Sequence, residues 1–192
     1  MTQIDPTGLS AAPCHGDVAE IASGRIIAVC TSQGGVPKRP LDSAAVTPDG
    51  IEGDRHEHQK HVRPDRALSL LDEEILRDLV TEGFPLEPGT AGENLTVSGL
   101  MVQRMSPGTI LEAGDVLIRL EAPRKPCYVL DKIDPRLKEA IVGRCGYMAS
   151  VLKGGVLKPG TMIRRLPAHG PADGQPSANC DIASRAFSAI AE

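Results

Sequence analysis

The chemistry-bearing position that stands out in this chain is Cys127, in the segment Glu121-Ala122-Pro123-Arg124-Lys125-Pro126-Cys127-Tyr128. Two cations lie within three residues of its thiol, and two prolines stiffen the backbone that carries it. A cationic setting favours thiolate over thiol, and the thiolate is the form that attacks electrophiles and binds metals. Local sequence leaves two readings open: a reactive thiol held in an electropositive place, or a small buried hydrophobe like most free cysteines. The first reading makes Cys127 the most reactive thiol of the chain and leaves Cys30, which lies in an apolar run, shielded.

Three further clusters carry polar side chains at turn-like positions. Ile51-Glu52-Gly53-Asp54-Arg55-His56, followed by His58 and His61, reads either as an anion or cofactor loop or as a solvated charged loop. The three histidines lack a matching Cys or carboxylate spacing, so they make a weak metal signal and read more simply as exposed. Thr90-Ala91-Gly92-Glu93-Asn94-Leu95-Thr96 places Glu and Asn just before an apolar run. At such a strand mouth they either read a polar ligand or cap the local backbone. Gly143-Arg144-Cys145-Gly146-Tyr147 and Lys153-Gly154-Gly155 form the last cluster, whose glycines are also those of a hairpin turn.

The elements that must position these groups read as mainly β. Twenty Gly and sixteen Pro punctuate short apolar runs, and with two Phe, two Tyr and no Trp the core must be aliphatic. That pattern predicts a β-rich barrel or sandwich with few helices. Gly24 to Thr31 reads as a buried first strand, and the alternation of Val116, Ile118, Leu120 and Ala122 with Leu117, Arg119 and Glu121 as a half-buried one. The latter runs straight into the Cys127 segment and places the thiol at or just past a strand end. Further strands are expected around 67–71, 95–97, 148–152 and 161–166. A helix is expected over 73–82, with Asp72 as N-cap and Gly83 closing it, and a second from Asp134-Pro135 to Val142.

Composition narrows the function classes. A chain of 192 residues suits one domain with tails and needs no disulfide or structural metal to fold. The expected boundaries are a tail over 1–23, a domain over 24–167, and a second tail over 168–192, whose residues 181–192 have the pattern of a short terminal helix. A net charge of −4 argues against nucleic acid as a partner. No run of 18 apolar residues is present, so no membrane helix is expected. Five cysteines without a CxxC pair, and an N-terminus without a signal pattern, fit free thiols in a reducing cytoplasm.

Taken in order, Gly53-Asp54-Arg55-His56, Arg66-Ala67-Leu68-Ser69-Leu70-Leu71-Asp72, Gly92-Glu93-Asn94-Leu95-Thr96, Pro123-Arg124-Lys125-Pro126-Cys127, Gly143-Arg144-Cys145-Gly146-Tyr147 and Lys153-Gly154-Gly155 resemble the MOSC domain family. The family is named for the C-terminal part of molybdenum cofactor sulfurase, and the likeness runs from about Gly24 to Leu166, closest to small stand-alone bacterial members. The resemblance implies a mainly β, barrel-like fold with a few short helices. It implies a tie to the molybdenum cofactor (molybdopterin) and to sulfur transfer, with Cys127 carried over as the molybdenum ligand or the persulfide-bearing nucleophile. Asn94 and Thr96 match positions near the pterin or its phosphate, and Arg55, His56 and Arg124 are weaker matches for the same role.

The expected function is therefore cofactor binding through Cys127 in support of reduction of N-hydroxylated small molecules or of sulfur transfer. As an enzyme the chain would be a molybdenum-dependent N-hydroxy reductase or a sulfur transferase, working with an electron-transfer partner or a cysteine desulfurase. The chain has no lysine motif for pyridoxal phosphate, so that cofactor would belong to the partner desulfurase. The alternatives are a metal-free persulfide carrier and a binding protein without turnover.

Overall fold

The computed structural model describes residues 22–55 and 63–167. The described chain forms eleven strands and two α-helices: β1 (Ser23–Thr31), β2 (Arg39–Leu41), β3 (Ala44–Thr47), β4 (Gly50–Ile51), β5 (Leu68–Asp72), α1 (Glu73–Thr81), β6 (Leu95–Ser98), β7 (Ile110–Ala113), β8 (Val116–Pro123), α2 (Leu137–Ala140), β9 (Tyr147–Lys153), β10 (Gly155–Leu157) and β11 (Met162–Arg165). Strands run in the order β11-β7-β8-β9-β5-β6-β1, and β11 pairs back onto β1, so seven strands close into a barrel with β2 added outside β1. Closure removes the unpaired edge that an open sheet would present. All barrel pairs are antiparallel except β5 with β6, which are joined through α1. A three-stranded sheet, β10-β3-β4, stands beside the barrel.

Two-residue periodicity sorts the side chains. Along β8, Val116, Ile118 and Leu120 point into the barrel and are fully buried, with Leu117, Arg119 and Glu121 between them on the other face. They meet Ile26, Val29, Leu68, Leu70, Leu95, Val97, Leu111 and Ile163 in one aliphatic core. A second apolar cluster lies outside the barrel wall, where Leu71, Leu76, Leu79, Phe84, Leu130, Leu137, Ile141 and Cys145 pack together. Leu79 is fully buried there, so Leu79→Ala would cost about 2–5 kcal/mol.

Three expectations need correction. Asp72 does precede α1, but its carboxylate does not cap the helix; it accepts from the Val102 and Gln103 N–H groups at 2.8 and 3.0 Å. Burial lifts its pKa, and those two donors oppose the rise. The glycines of Lys153-Gly154-Gly155 do not close a hairpin: β9 ends at Lys153 and β10 pairs with β3, so the chain passes there from the barrel to the small sheet. The second helix is also shorter than expected, Leu137–Ala140. The segment 181–192, for which a terminal helix was expected, lies outside the described residues.

Candidate functional site

β8 delivers Cys127 as the alternation requires, four residues past its end at Pro123. The last rung there is Pro123 opposite Tyr147 of β9, and the Arg124 N–H then donates to the Gly146 carbonyl at 2.8 Å. Gly146 is required at this crossing, since it has φ +81° and an added Cβ would lie 1.9 Å from the Leu70 carbonyl oxygen. Gln103 fixes the same residue from the other side by accepting the Gly146 N–H at 2.7 Å. Beyond Pro126 the chain turns into a 3-10 helix, Tyr128–Lys132, with Cys127 exposed at its N-cap.

Arg124 turns the opposite way. Its Nη2 donates to the Ala91 carbonyl at 2.7 Å, while Nη1 is buried with no partner among the described residues. The guanidinium lies against Gly92, where φ is +86° and an added Cβ would come within 2.7 Å of Val36 and 3.1 Å of Arg124 Nη2. The neighbouring Glu93 is fully buried. Its Oε1 accepts from the Gly89 N–H at 2.6 Å and the Thr96 hydroxyl at 3.0 Å, and its Oε2 has no partner among the described residues. Burial pushes the Glu93 carboxyl pKa up, against the lowering pull of its hydrogen bonds and of the Arg124 charge. Buried polar groups are nearly always satisfied, so the unpartnered Arg124 Nη1 and Glu93 Oε2 each keep hydrogen-bonding capacity.

Asn94 is spent differently. Its Oδ1 accepts from the Ser69 N–H and hydroxyl, each at 3.1 Å, and its Nδ2 donates to the Cys30 carbonyl at 3.2 Å and to Asp54 Oδ2 at 2.8 Å. Asp54 in turn accepts from the Ser32 N–H at 2.8 Å and pairs with Lys38. Lys38 and Asp54 side chains are only 8% and 5% exposed, which makes this a buried ion pair. Burial lowers the Lys38 pKa while Asp54 raises it and the Arg124 charge lowers it again, so Arg124 and Lys38 act on each other as neighbouring cations. Cys30, sealed beneath them, has its thiol pushed up to about 12 by burial first and by the Glu93 charge second.

Of the residues singled out by sequence, Asn94, Thr96 and Arg124 are thus gathered around Glu93 and Asp54, and Cys127 stands on the same chain segment as Arg124. Arg55 is exposed and lines a cleft of about 470 Å³ with Thr47, Asp49, Gly50, Ile51, Glu52 and Asp54. His56, with His58 and His61, lies outside the described residues. Asn94 was expected to offer its amide to a ligand, but all of that amide is engaged inside the protein. Lys38 was missed, and nothing in Pro37-Lys38-Arg39-Pro40 signals its burial, because the carboxylate that neutralises it is sixteen residues away. Among the described residues there is no group of three or more His, Cys, Asp or Glu that could hold a metal ion.

A closed seven-stranded mixed barrel with an exposed thiol just past the end of β8 defines the class, and comparison places it. The MOSC domain family model matches residues 57–164, more than half of the 192, and the chain belongs to that family. The match begins after β1, which the barrel needs for closure, so the folded unit extends beyond it. The chain is 29% identical over 141 residues to the uncharacterised protein YflK of Bacillus subtilis, covering 69% of this chain and 63% of the relative. It is 32% identical over 115 residues to the Escherichia coli protein YiiM, covering 55% and 51%. The chain thus spans between half and two thirds of the length of these curated relatives. The crystal structure of YiiM from Geobacillus stearothermophilus superposes with a TM-score of 0.62 at 27% identity, over 75% of each chain. No helix of the described residues is long and apolar enough to cross a membrane.

Proposed function

We propose that this protein binds the molybdenum cofactor with Cys127 as the protein's ligand to the metal, and supports reduction of N-hydroxylated small molecules in the cytoplasm with a separate electron-transfer partner. The observation that carries the reading is the exposed Cys127 thiol on the same short segment as Arg124, whose buried Nη1 is unpartnered among the described residues. Soft thiolate sulfur suits such a metal, and an unsatisfied guanidinium nitrogen suits an anionic or carbonyl group of the pterin. The bound group would supply two-electron redox chemistry at the metal; the protein's own part is to hold and orient it. Cys127 fixes the metal end. Arg124 binds the polar end, and the buried Glu93 carboxyl, its pKa raised chiefly by burial, keeps its orphaned Oε2 available to a ligand group. Asn94 acts through Asp54, keeping Lys38 buried beside Arg124 so that the local field stays positive. Arg55 stands exposed on the outer loop, where it would meet the more exposed parts of the ligand, and the family resemblance carries His56 over for the same role.

A second reading, sulfur carriage, is favoured by the exposure of Cys127: a thiol at the surface can meet the persulfide of a desulfurase whose pyridoxal phosphate stays on that partner. Metal analysis separates the two. Cys127→Ser keeps size and weakens ligation, so protein purified from a cofactor-competent host is expected to lose its molybdenum while retaining its circular dichroism spectrum. Unchanged molybdenum content in the folded variant would reject ligation and leave sulfur carriage.

A further inference from the structure

Cys145 is the thiol that the proposed function does not use. It is 1% exposed, while Cys127 is exposed, and the fold ties the two together. From the Arg124–Gly146 hydrogen bond at 2.8 Å, Cys145 is one residue back on one segment and Cys127 three residues on along the other. The Cys127 carbonyl accepts the Leu130 N–H at 3.2 Å, and this turn returns the chain so that Leu130 packs in the same apolar cluster as Cys145. The charge of a Cys127 thiolate acts on Cys145, as does that of Arg124; the charges acting on Cys30 are those of Glu93, Lys38 and Asp54.

The turn just before Cys145 is open to solvent. Val142 is 67% exposed, and an added Cβ at Gly143 would meet nothing within 4 Å. On the near side of Cys145, Arg144 forks onto Glu82 in two bonds of 2.6 Å; on the far side, Gly146 is held by Gln103 and by Arg124. The Glu82 side chain is 42% exposed, and an ion pair open to water is a weak tether. A disulfide requires the two Cα atoms to come within about 4.4–6.8 Å, and the segments that carry the two cysteines are already tied together at the Arg124–Gly146 bond.

We infer that Cys145 is a resolving thiol for Cys127, so that oxidation of the exposed cysteine ends in an intramolecular Cys127–Cys145 disulfide. The oxidant is a hydroperoxide. The Cys127 sulfur attacks the peroxide oxygen, the O–O bond breaks, and sulfenic acid and an alcohol (water, from hydrogen peroxide) result. The Cys145 thiol then attacks the Cys127 sulfur, the S–O bond breaks, and water leaves with the proton from Cys145. The two electrons that reduce the peroxide come from the pair of thiols, and an external dithiol restores both. The linked form has no free thiol at Cys127, which shuts the site and keeps its sulfur from going on to sulfinic and sulfonic acids that dithiols cannot reverse.

The full chain, purified without metal, is treated with hydrogen peroxide, blocked with an alkylating agent, digested and mapped by mass spectrometry. Using metal-free protein makes the outcome independent of cofactor binding. The expected product is a peptide pair linking Cys127 to Cys145, lost on treatment with dithiothreitol. In Cys145→Ser, Cys127 sulfinic and sulfonic acid should rise by about 10-fold at equal peroxide. Linkage of Cys127 to Cys14, Cys30, Cys180 or a second molecule in its place, or equal over-oxidation of wild type and variant, overturns the inference. Should Cys145→Ser not fold, the wild-type linkage map decides alone.

Discussion

The Asn94–Asp54–Lys38 network and the Arg124–Cys127 segment adjoin each other, yet they are built on opposite principles. In the first, every polar group of the Asn94 amide is matched inside the protein, and Asp54 holds a buried cation. In the second, the thiol faces solvent and one guanidinium nitrogen is left unmatched by any described residue. A satisfied buried network fixes geometry at high cost if broken. An unsatisfied group keeps its bonding capacity free. The contrast teaches that the residues most prominent in the motif divide into a frame and a working end.

Breaking the frame should have the largest effect. Asp54→Ala leaves Lys38 buried without its counter-charge, and removal of one partner from such a pair costs about 3–5 kcal/mol; chemical denaturation of the metal-free protein measures it. Asn94→Ala leaves the Ser69 N–H and the Cys30 carbonyl without a partner and should cost about 2–4 kcal/mol. A loss below about 0.5 kcal/mol for either variant would erase the distinction between frame and working end.

Glu93 sharpens the comparison through pH. Its folded pKa is raised, chiefly by burial, so the folded state binds a proton more tightly than the unfolded state. Stability relative to a permanently neutral side chain is therefore full below the unfolded pKa of about 4.3 and is lost as pH rises toward the folded pKa. The stability of Glu93→Gln minus that of wild type should accordingly grow by up to about 1.4 kcal/mol per pH unit across that window. Asp72, also raised, is present in both proteins and cancels. A difference that does not change with pH would place the ionised form of Glu93 in the fold.

The smallest stability effect belongs to Arg55→Ala. The residue is exposed and is held by its backbone N–H to the Ser32 carbonyl at 2.8 Å, so truncation should shift stability within about 0.5 kcal/mol. If the Arg55 loop meets the cofactor, the same variant should retain less molybdenum. Retention equal to wild type would confine the working end to Arg124 and Cys127.

Much of the barrel was legible because its signals are local. The alternation in Val116 to Glu121 follows from the pleat, the apolar run at Gly24 to Thr31 from burial on both faces, and α1 from a helical pattern stopped by Gly83. Cys127 was legible too, since a strand running into Pro-Arg-Lys-Pro-Cys places the thiol past the strand end. The short strands β2, β3, β4, β7 and β10 were not, because two to four residues carry too little periodicity to register.

What the sequence alone determined is the set of chemical groups and the mainly β class, both of which rest on side-chain type and near-neighbour spacing. Tertiary structure decided the rest. Closure of β11 on β1 and the pairing of Asp54 with Lys38 join residues far apart in the chain, and burial then sets their energies. Lys38 becomes a frame residue only because a carboxylate from another loop meets it where water is excluded. Asn94 serves the fold only because the Ser69 N–H and the Cys30 carbonyl face its amide from either side. Such assignments depend on which groups face each other across a desolvated gap, and no local pattern encodes that.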